Sequence, residues 1–253
     1  MPGKRVLITG ANGLLGKAVA DALHDRGDSV MGLDLNDGPN VLAADLRDMA
    51  STTAGVREAV KRLGGLDVLV NNAGLGGSTD PAQPPDDRAL ATIDVNLLGT
   101  WRATAAALPA LLESAGRVVN VSSGLAFVAL PHTAAYSVTK RGLVAYSDVL
   151  RAQLGDRLEV VTIFPGYIKG PIHEDVEAEG RSLEGLIREE SLEDAVQAFV
   201  SAIHGPARRM RATTRRGRVE LALAHKFPGI VNAMIARRIR GLRTRDSDGR
   251  PVA

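Results

Sequence analysis

The chain has no cysteine. That absence excludes disulfides, thiolate metal ligands and a cysteine nucleophile, and it fits a reducing compartment. Aromatic residues make up only 3% of the chain, so a core has to be packed by Val, Leu, Ile and Ala. No apolar run approaches the ~18 residues of a membrane-spanning helix. Met1-Pro2-Gly3-Lys4-Arg5 leads straight into a strand pattern. No signal peptide is read there, and a cytoplasmic setting is the expectation. No metal site is expected. What is present is an apolar fraction of 45% in 253 residues, enough for one domain with a large core.

Net charge is also small, at +2, but it is unevenly spread. From Gly205 onward there are 13 Arg or Lys against the three acids Glu220, Asp246 and Asp248. The first 204 residues therefore carry about −8 and the remainder about +10. Such a tail seeks anionic partners or docks on its own acidic body.

Short apolar, β-branched runs at Arg5–Thr9, Ser29–Leu33, Val41–Ala44, Leu66–Val70, Val118–Val121 and Leu158–Phe164 read as buried strands. Helical spacing covers Lys17–Arg26, Ser51–Leu63, Leu90–Leu112 with a bend near Gly99, and Ala135–Leu154. Ser191 reads as the N-cap of a further helix reaching about His204. Met210–Thr214 is expected as a last edge strand. Arg218–Lys226 and Pro228–Arg240 are expected as short helices, the second with an apolar stripe of Ile230, Val231, Met234, Ile235, Ile239 and Leu242. Strands alternating with helices through short links imply an α/β fold, a doubly wound parallel sheet of about seven strands with helices on both faces. Tyr167–Glu190 is charged and weakly periodic, as in a functional lid, and Asp246–Ala253 is expected to be disordered.

Three places carry chemistry. Thr9-Gly10-Ala11-Asn12-Gly13-Leu14-Leu15-Gly16 joins the first strand to the first helix. A glycine loop at a helix N-terminus suits a pyrophosphate, although glycine turns also occur without any ligand. Asp34 ends the second strand, roughly 20 residues further on, where an acid can hold ribose hydroxyls and repel a 2′-phosphate. It favours NAD over NADP, the alternative being that Asp34 is merely a turn residue. Tyr136 and Lys140 lie four apart on one helix and share a face. An adjacent ammonium, with the charge of an oxidised nicotinamide, would lower the phenol pKa from about 10 and make it an acid/base. Most such pairs are surface residues. Ser123, at the end of the fifth strand, could hold a substrate oxygen beside them.

Taken together these residues resemble the short-chain dehydrogenase/reductase family. Tyr136-Ser137-Val138-Thr139-Lys140 matches its Tyr-x-x-x-Lys, and Asn71-Asn72-Ala73-Gly74 its Asn-Asn-Ala-Gly. Ser123 rather than Ser122 matches its serine, Asn96 its helix asparagine, Asp45 before Leu46 its adenine-contacting acid, and Pro165-Gly166 its Pro-Gly. The resemblance covers roughly residues 5–205. It implies a Rossmann-like dinucleotide-binding and catalytic domain over residues 1–204; by charge and pattern, residues 205–253 are expected as a basic extension packed on it. It implies Tyr136 as catalytic acid/base, Lys140 tuning it and holding the nicotinamide ribose, Ser123 orienting substrate, and Asn96 supporting a water relay, unless Asn96 is a helix kink or cap. The implied NAD contacts are Gly10, Asn12, Gly13, Leu15, Asp34, Asp45, Leu46, Asn72, Ala73, Gly74, Tyr136, Lys140, Pro165, Gly166 and Ile168. Leu125, Phe127, His132 and Tyr167 flank the site in sequence. Leu125, His132 and Tyr167 are taken as substrate contacts, with His132 a wall or surface residue rather than a catalyst. The implied substrate is a lipophilic secondary alcohol or ketone, and the implied assembly a homodimer or homotetramer through Leu90–Leu112 and Ala135–Leu154.

Two departures from the family pattern stand out. The loop reads Thr-Gly-x-x-Gly-x-x-Gly where shorter members carry Thr-Gly-x-x-x-Gly-x-Gly, and Gly170 stands where Thr is common after Pro-Gly-x-x-x. The loop spacing keeps open a redox-neutral isomerase or dehydratase with transient hydride transfer. A non-catalytic nicotinamide sensor needs the loop but not Tyr136, Lys140 and Ser123 together. A serine hydrolase is excluded by the lack of a G-x-S-x-G elbow. For the tail, packing over the pocket mouth or a subunit interface is the favoured reading, attachment to an anionic membrane surface the second, and nucleic-acid binding the last, since Phe227 is its one aromatic residue.

Overall fold

The computed structural model describes residues 3–170, 172 and 189–243, with side chains to residue 237. Most of the segment expected as a lid, and the C-terminal stretch expected as disordered, lie outside the described residues.

Seven parallel strands form one sheet in the order β3-β2-β1-β4-β5-β6-β7. They are β1 (Arg5–Thr9), β2 (Ser29–Asp34), β3 (Val41–Ala43), β4 (Val68–Asn71), β5 (Arg117–Val121), β6 (Glu159–Phe164) and β7 (Met210–Ala212). The helices are α1 (Leu14–Asp25), α2 (Met49–Leu63), α3 (Asp87–Ile93), α4 (Thr100–Glu113), α5 (Ala134–Leu154), α6 (Leu192–His204), α7 (Arg215–Lys226) and α8 (Pro228–Arg243). Strand side chains alternate faces. Val6 and Ile8 therefore join a core with Val19 and Leu23 of α1 and Phe199 of α6. Leu7 points the other way, to Val56 of α2 and Leu111 of α4. With both faces covered, the strands are apolar at almost every position, and truncating one of these leucines to alanine costs about 2–5 kcal/mol.

Local chemistry sets the helix ends. Asp48 caps α2 by accepting from the Ser51 N–H, and Gly64 closes it at φ 69°. Ser191 caps α6 through the Asp194 N–H, as its sequence position implied. Helix α1 begins at Leu14, three residues earlier than its apolar spacing suggested; its cap position is Gly13, and no side chain closes it. The helix expected over Leu90–Leu112 is instead α3 and α4 joined by a π-helical segment, Asp94–Gly99. Its wider turn is more than a bend, and it carries Asn96. At Gly99 a Cβ would lie 3.0 Å from the Leu46 Cβ, so glycine permits the close approach of this segment to the loop after β3.

The chain order reverses between β1 and β4. Parallel sheets open a crevice there, beyond the carboxyl ends of the strands. All the residues singled out above for chemistry lie on segments leaving this edge or flanking it.

Candidate active site

A cavity of about 1900 Å³ occupies the crevice. That is larger than the ~300–1,000 Å³ of a typical small-ligand pocket. Each expected cofactor contact lines it: Gly10, Asn12, Gly13, Leu15, Asp34, Asp45, Leu46, Asn72, Ala73, Gly74, Tyr136, Lys140, Pro165, Gly166 and Ile168. So do Ser123, Leu125 and Tyr167.

The glycine-loop end is built from backbone. Gly10 has φ 66°, and a Cβ there would sit 2.7 Å from the Ala73 Cα. At Gly16 a Cβ would lie 2.2 Å from the Gly10 carbonyl oxygen. Both glycines let β1, its loop and α1 nest together. Asn72 locks the loop from the side, its Nδ2 donating to the Thr9 and Gly10 carbonyls at 3.1 Å each. The Thr9 hydroxyl in turn accepts from the Asn72 and Ala73 N–H groups. Helix α1 has neither a side-chain cap nor an acid in its first turn. Its N-terminus therefore presents uncompensated N–H groups to the cavity, a setting that suits phosphate oxygens. Asp34 stands at the end of β2, its carboxylate accepting from the Asn12 N–H at 2.9 Å and the Leu35 N–H at 2.8 Å. An uncapped helix start beside an acid at the end of β2 suits a dinucleotide, whose pyrophosphate the N-terminus of α1 would hold and whose adenosine ribose Asp34 would hold.

Arg47, which the sequence reading did not single out, also reaches this end. Its guanidinium forks onto Asp45 at 2.7–3.1 Å and holds that carboxyl below the usual range. Asp45 therefore meets the cavity already paired with a cation.

At the centre, helix α5 and the end of β5 bring three side chains together. The Ser123 hydroxyl accepts from the Leu125 N–H at 3.2 Å and stands near enough to the Tyr136 phenol to draw its pKa down. The neighbouring Ser122 hydroxyl instead donates to the Lys140 carbonyl at 2.9 Å, which pins α5 to the sheet. The two serines are thereby distinguished: one faces the phenol and the other holds the helix. Buried Lys140 donates from Nζ to the Val121 carbonyl at 2.9 Å and lies 5.4 Å from the Tyr136 ring centroid. A buried polar ladder steadies the same helix, Asn71 donating to Asn120 and Asn120 to Ser147 on α5.

The electrostatics differ from the sequence expectation in one respect. The protein's own groups hold the Tyr136 phenol above its ordinary value, because burial raises it more than the Ser123 hydrogen bond lowers it. Burial also brings the Lys140 ammonium down to about 8. The pair is thus a protonated phenol beside a cation that titrates close to neutrality.

Two expected site residues stand off the cavity wall. Asn96 is buried beneath it, accepting from the Leu75 N–H at 2.7 Å and donating to the Leu75 carbonyl at 2.9 Å. It braces the loop after Asn71-Asn72-Ala73-Gly74, and its Oδ1 lies 3.5 Å from the Cβ position of Gly74, which Lys140 Nζ approaches to 3.6 Å. His132 is not among the lining residues. It sits at φ 59° in the turn before α5, its carbonyl accepting from the Thr79 N–H at 2.8 Å. That turn anchors the loop after β4 rather than serving as a substrate contact. Phe127 likewise packs inward, against Phe164 and His225.

The far end of the cavity was not legible in advance. Glu190 accepts from the Gly166 N–H at 3.0 Å and from the Thr213 and Thr214 hydroxyls, joining the Pro165-Gly166 turn to the start of α7. Arg216, Glu220, Leu221 and Ala224 of α7 and Val231 and Ile235 of α8 also line this end. Described residues of the basic extension thus line this end of the pocket. The two departures in pattern also meet, between the two ends of the cavity. The family's middle loop glycine falls at position 14 of this chain, which is Leu14, and a Cβ at Gly170 would lie 2.7 Å from the Leu14 Cδ2. Leu14 fills the space that a threonine at 170 would need.

Comparison with known proteins agrees with this geometry. Residues 4–180 match the family model described as short chain dehydrogenase. Oxidoreductase UcpA of Salmonella typhimurium is 34% identical over 196 residues, which span 70% of this chain and 73% of that one. The 2-dehydro-3-deoxy-L-rhamnonate dehydrogenase (NAD(+)) of a Sphingomonas species is 30% identical over 184 residues, 67% and 74% of the two chains. A short chain dehydrogenase of Burkholderia cenocepacia, solved in complex with NADP, superposes with a TM-score of 0.77 at 27% identity, covering 93% of this chain and 97% of that one. The matched stretch takes in every strand except β7 and every group that meets at Tyr136, and the chain belongs to the short-chain dehydrogenase family of oxidoreductases.

Proposed function

We propose that the protein is an NAD(H)-dependent oxidoreductase that interconverts a secondary alcohol and a ketone on a lipophilic small molecule. The observation that carries this reading is the convergence of Ser123, Tyr136 and Lys140 on one cavity beside the glycine loop. Residues 1–204 would bind cofactor and carry the chemistry, with residues 205–253 packed on them as an extension.

Bound nicotinamide would supply the acceptor or donor of a hydride. The chain's own residues supply the rest. The Ser123 hydroxyl, beside the phenol, would hold the substrate oxygen within reach of Tyr136 Oη. In ketone reduction Tyr136 gives its proton to that oxygen as charge builds there. In alcohol oxidation the same proton returns to the phenolate, which Lys140 stabilises as a buried cation. Asn96 holds the loop that sets the position of Gly74 against Lys140. Leu125, Tyr167 and the tail residues Leu221, Val231 and Ile235 give the substrate end its apolar character. The Asp34 carboxylate supports NAD rather than NADP, since a 2′-phosphate would be brought against a negative group. Exposed Leu98, Trp101 and Val149 on and near α4 and α5 support assembly as a homodimer or homotetramer through those helices.

The test is Tyr136→Phe. Turnover of a ketone panel with NADH is expected to fall by about 10²–10⁴-fold, while NADH binds within about twofold of the parent. Retained turnover, or tighter binding of NADPH than of NADH by the parent, overturns the corresponding part of the proposal.

A further inference from the structure

We propose that the outer face of the α7–α8 hairpin docks on the surface of an anionic lipid bilayer. The two helices are apolar on two sides. Gly217, Leu221 and Ala224, spaced four and three apart, turn toward the cavity, with Val231 and Ile235 beside them. Val219 and Leu223 fall on the opposite side of α7, by the helical repeat. Phe227 in the link and Ile230 and Met234 on α8 continue that outer strip. These five residues are 49–67% exposed. A helix needs one apolar stripe to pack on its own domain, and the inner faces of this hairpin already do so. The outer strip has no partner in the described chain.

Charge selects the occupant. Residues 205–243 hold ten Arg and one Lys against the single acid Glu220. Arg215, Arg218 and Lys226 are exposed along α7 beside the strip, and among the described residues no carboxylate pairs with them. Arg209, just before the hairpin, is by contrast forked onto Asp148 of the body. An apolar strip flanked by cations matches the boundary of an anionic bilayer, where side chains such as Leu, Phe and Met enter the acyl edge and Arg or Lys meets headgroup phosphates. A second copy would bring the same cations face to face across a two-fold contact. A nucleic acid would use the charge but leave the aliphatic strip in water. No helix among the described residues is long and apolar enough to cross a membrane, which fits attachment in the plane of the surface. The inner faces of the same two helices wall the pocket, so docking sets the cavity close to the lipid.

Co-sedimentation of the full chain with vesicles tests this. Vesicles of phosphatidylcholine with about 30 mol% phosphatidylserine are expected to pellet the protein at least about tenfold better than phosphatidylcholine alone. That gain should collapse between about 0.1 M and 1 M salt. The pair Leu223→Glu and Met234→Glu is expected to cut binding by about tenfold. The triple charge reversal Arg215→Glu, Arg218→Glu and Lys226→Glu, which alters exposed groups alone, should do the same with an unchanged melting temperature. Equal pelleting by both vesicle types, or equal binding by the charge-reversed variant, overturns the proposal. So does a Leu223→Glu/Met234→Glu protein that changes mass in solution while binding vesicles as before, which would assign the strip to a second copy. Binding to an oligonucleotide without binding to vesicles also overturns it.

Discussion

The two ends of the cavity hold their shape by different means. At the glycine-loop end the wall is main chain, clamped by Asn72 and Thr9, and the close approaches at Gly10 and Gly16 leave no room for a methyl group. At the tail end the wall is made of side chains from α7 and α8. Those helices are tied down through Glu190 to Thr213 and Thr214, and by Asn232 Oδ1 accepting from the Ala129 N–H at 2.9 Å. A wall of backbone suits a ligand that every member of a family shares, because it tolerates little change. A wall of side chains can be altered without disturbing the rest, and it suits the part of the ligand that differs from one member to the next. The comparison breaks most visibly at Gly16. Gly16→Ala forces a Cβ against the Gly10 carbonyl, and NADH affinity is expected to fall by about 100-fold, or roughly 2.7 kcal/mol. Calorimetric titration giving an affinity within threefold of the parent would show that the loop can relax.

Ile235→Asp probes the opposite end. A carboxylate placed beside Leu221, Ala224 and Val231 is expected to raise the KM for a lipophilic ketone by about tenfold to thirtyfold, the order of 1–2 kcal/mol. NADH affinity should stay within twofold. A parallel loss of NADH binding would mean that the two ends are one unit, coupled through Glu190 and Gly166.

The same contrast explains what was legible in the sequence. The glycine-loop end follows from neighbours in the chain: a strand, a glycine turn and a helix start follow one another within Arg5–Gly16, and Tyr136 and Lys140 share a face by helical spacing alone. The tail end follows from contacts across long separations. Nothing local marks Glu190 as the partner of Gly166, 24 residues away. The stripe on the last helix was visible as apolar, but periodicity does not tell which of its residues turn inward. Val231 and Ile235 do, whereas Ile230 and Met234 do not. His132 shows the converse error, since closeness in sequence to Tyr136 did not bring it to the pocket. The π segment at Asp94–Gly99 departs from the 3.6-residue repeat on which a helix is recognised, so a bend was expected in its place.

The pH profile sharpens the comparison by belonging to the centre of the site rather than to either end. Ketone reduction needs the Tyr136 proton in place and Lys140 charged. Burial raises the phenol, so its proton is retained at neutrality, and Lys140, at about 8, is largely charged at pH 7. The rate of reduction is therefore expected to be level below about pH 8 and to fall above it, by up to about tenfold per pH unit. Ile235→Asp should leave the position of that fall unchanged while raising KM. A profile still level at pH 10 would show that the charge on Lys140 contributes nothing.

The smallest effect is expected where the two ends touch. Leu14 belongs to the glycine loop and Gly170 to the segment after β6, and a Cβ on Gly170 would meet the tip of Leu14 at 2.7 Å. Leu14→Gly leaves a gap and Gly170→Thr crowds a flexible side chain, so each alone should weaken NADH binding by a few-fold. Combined, they exchange a leucine for a threonine hydroxyl in the same space, and the double variant is expected to recover most of the loss. The coupling should be about 1 kcal/mol, roughly fivefold in affinity, as for residues in direct contact. Strict additivity would mean that the unusual loop spacing and the missing threonine are independent features. Coupling of that size would make them one substitution distributed over two segments, with the loop's leucine standing in for the packing of a side chain on the far side of the cavity.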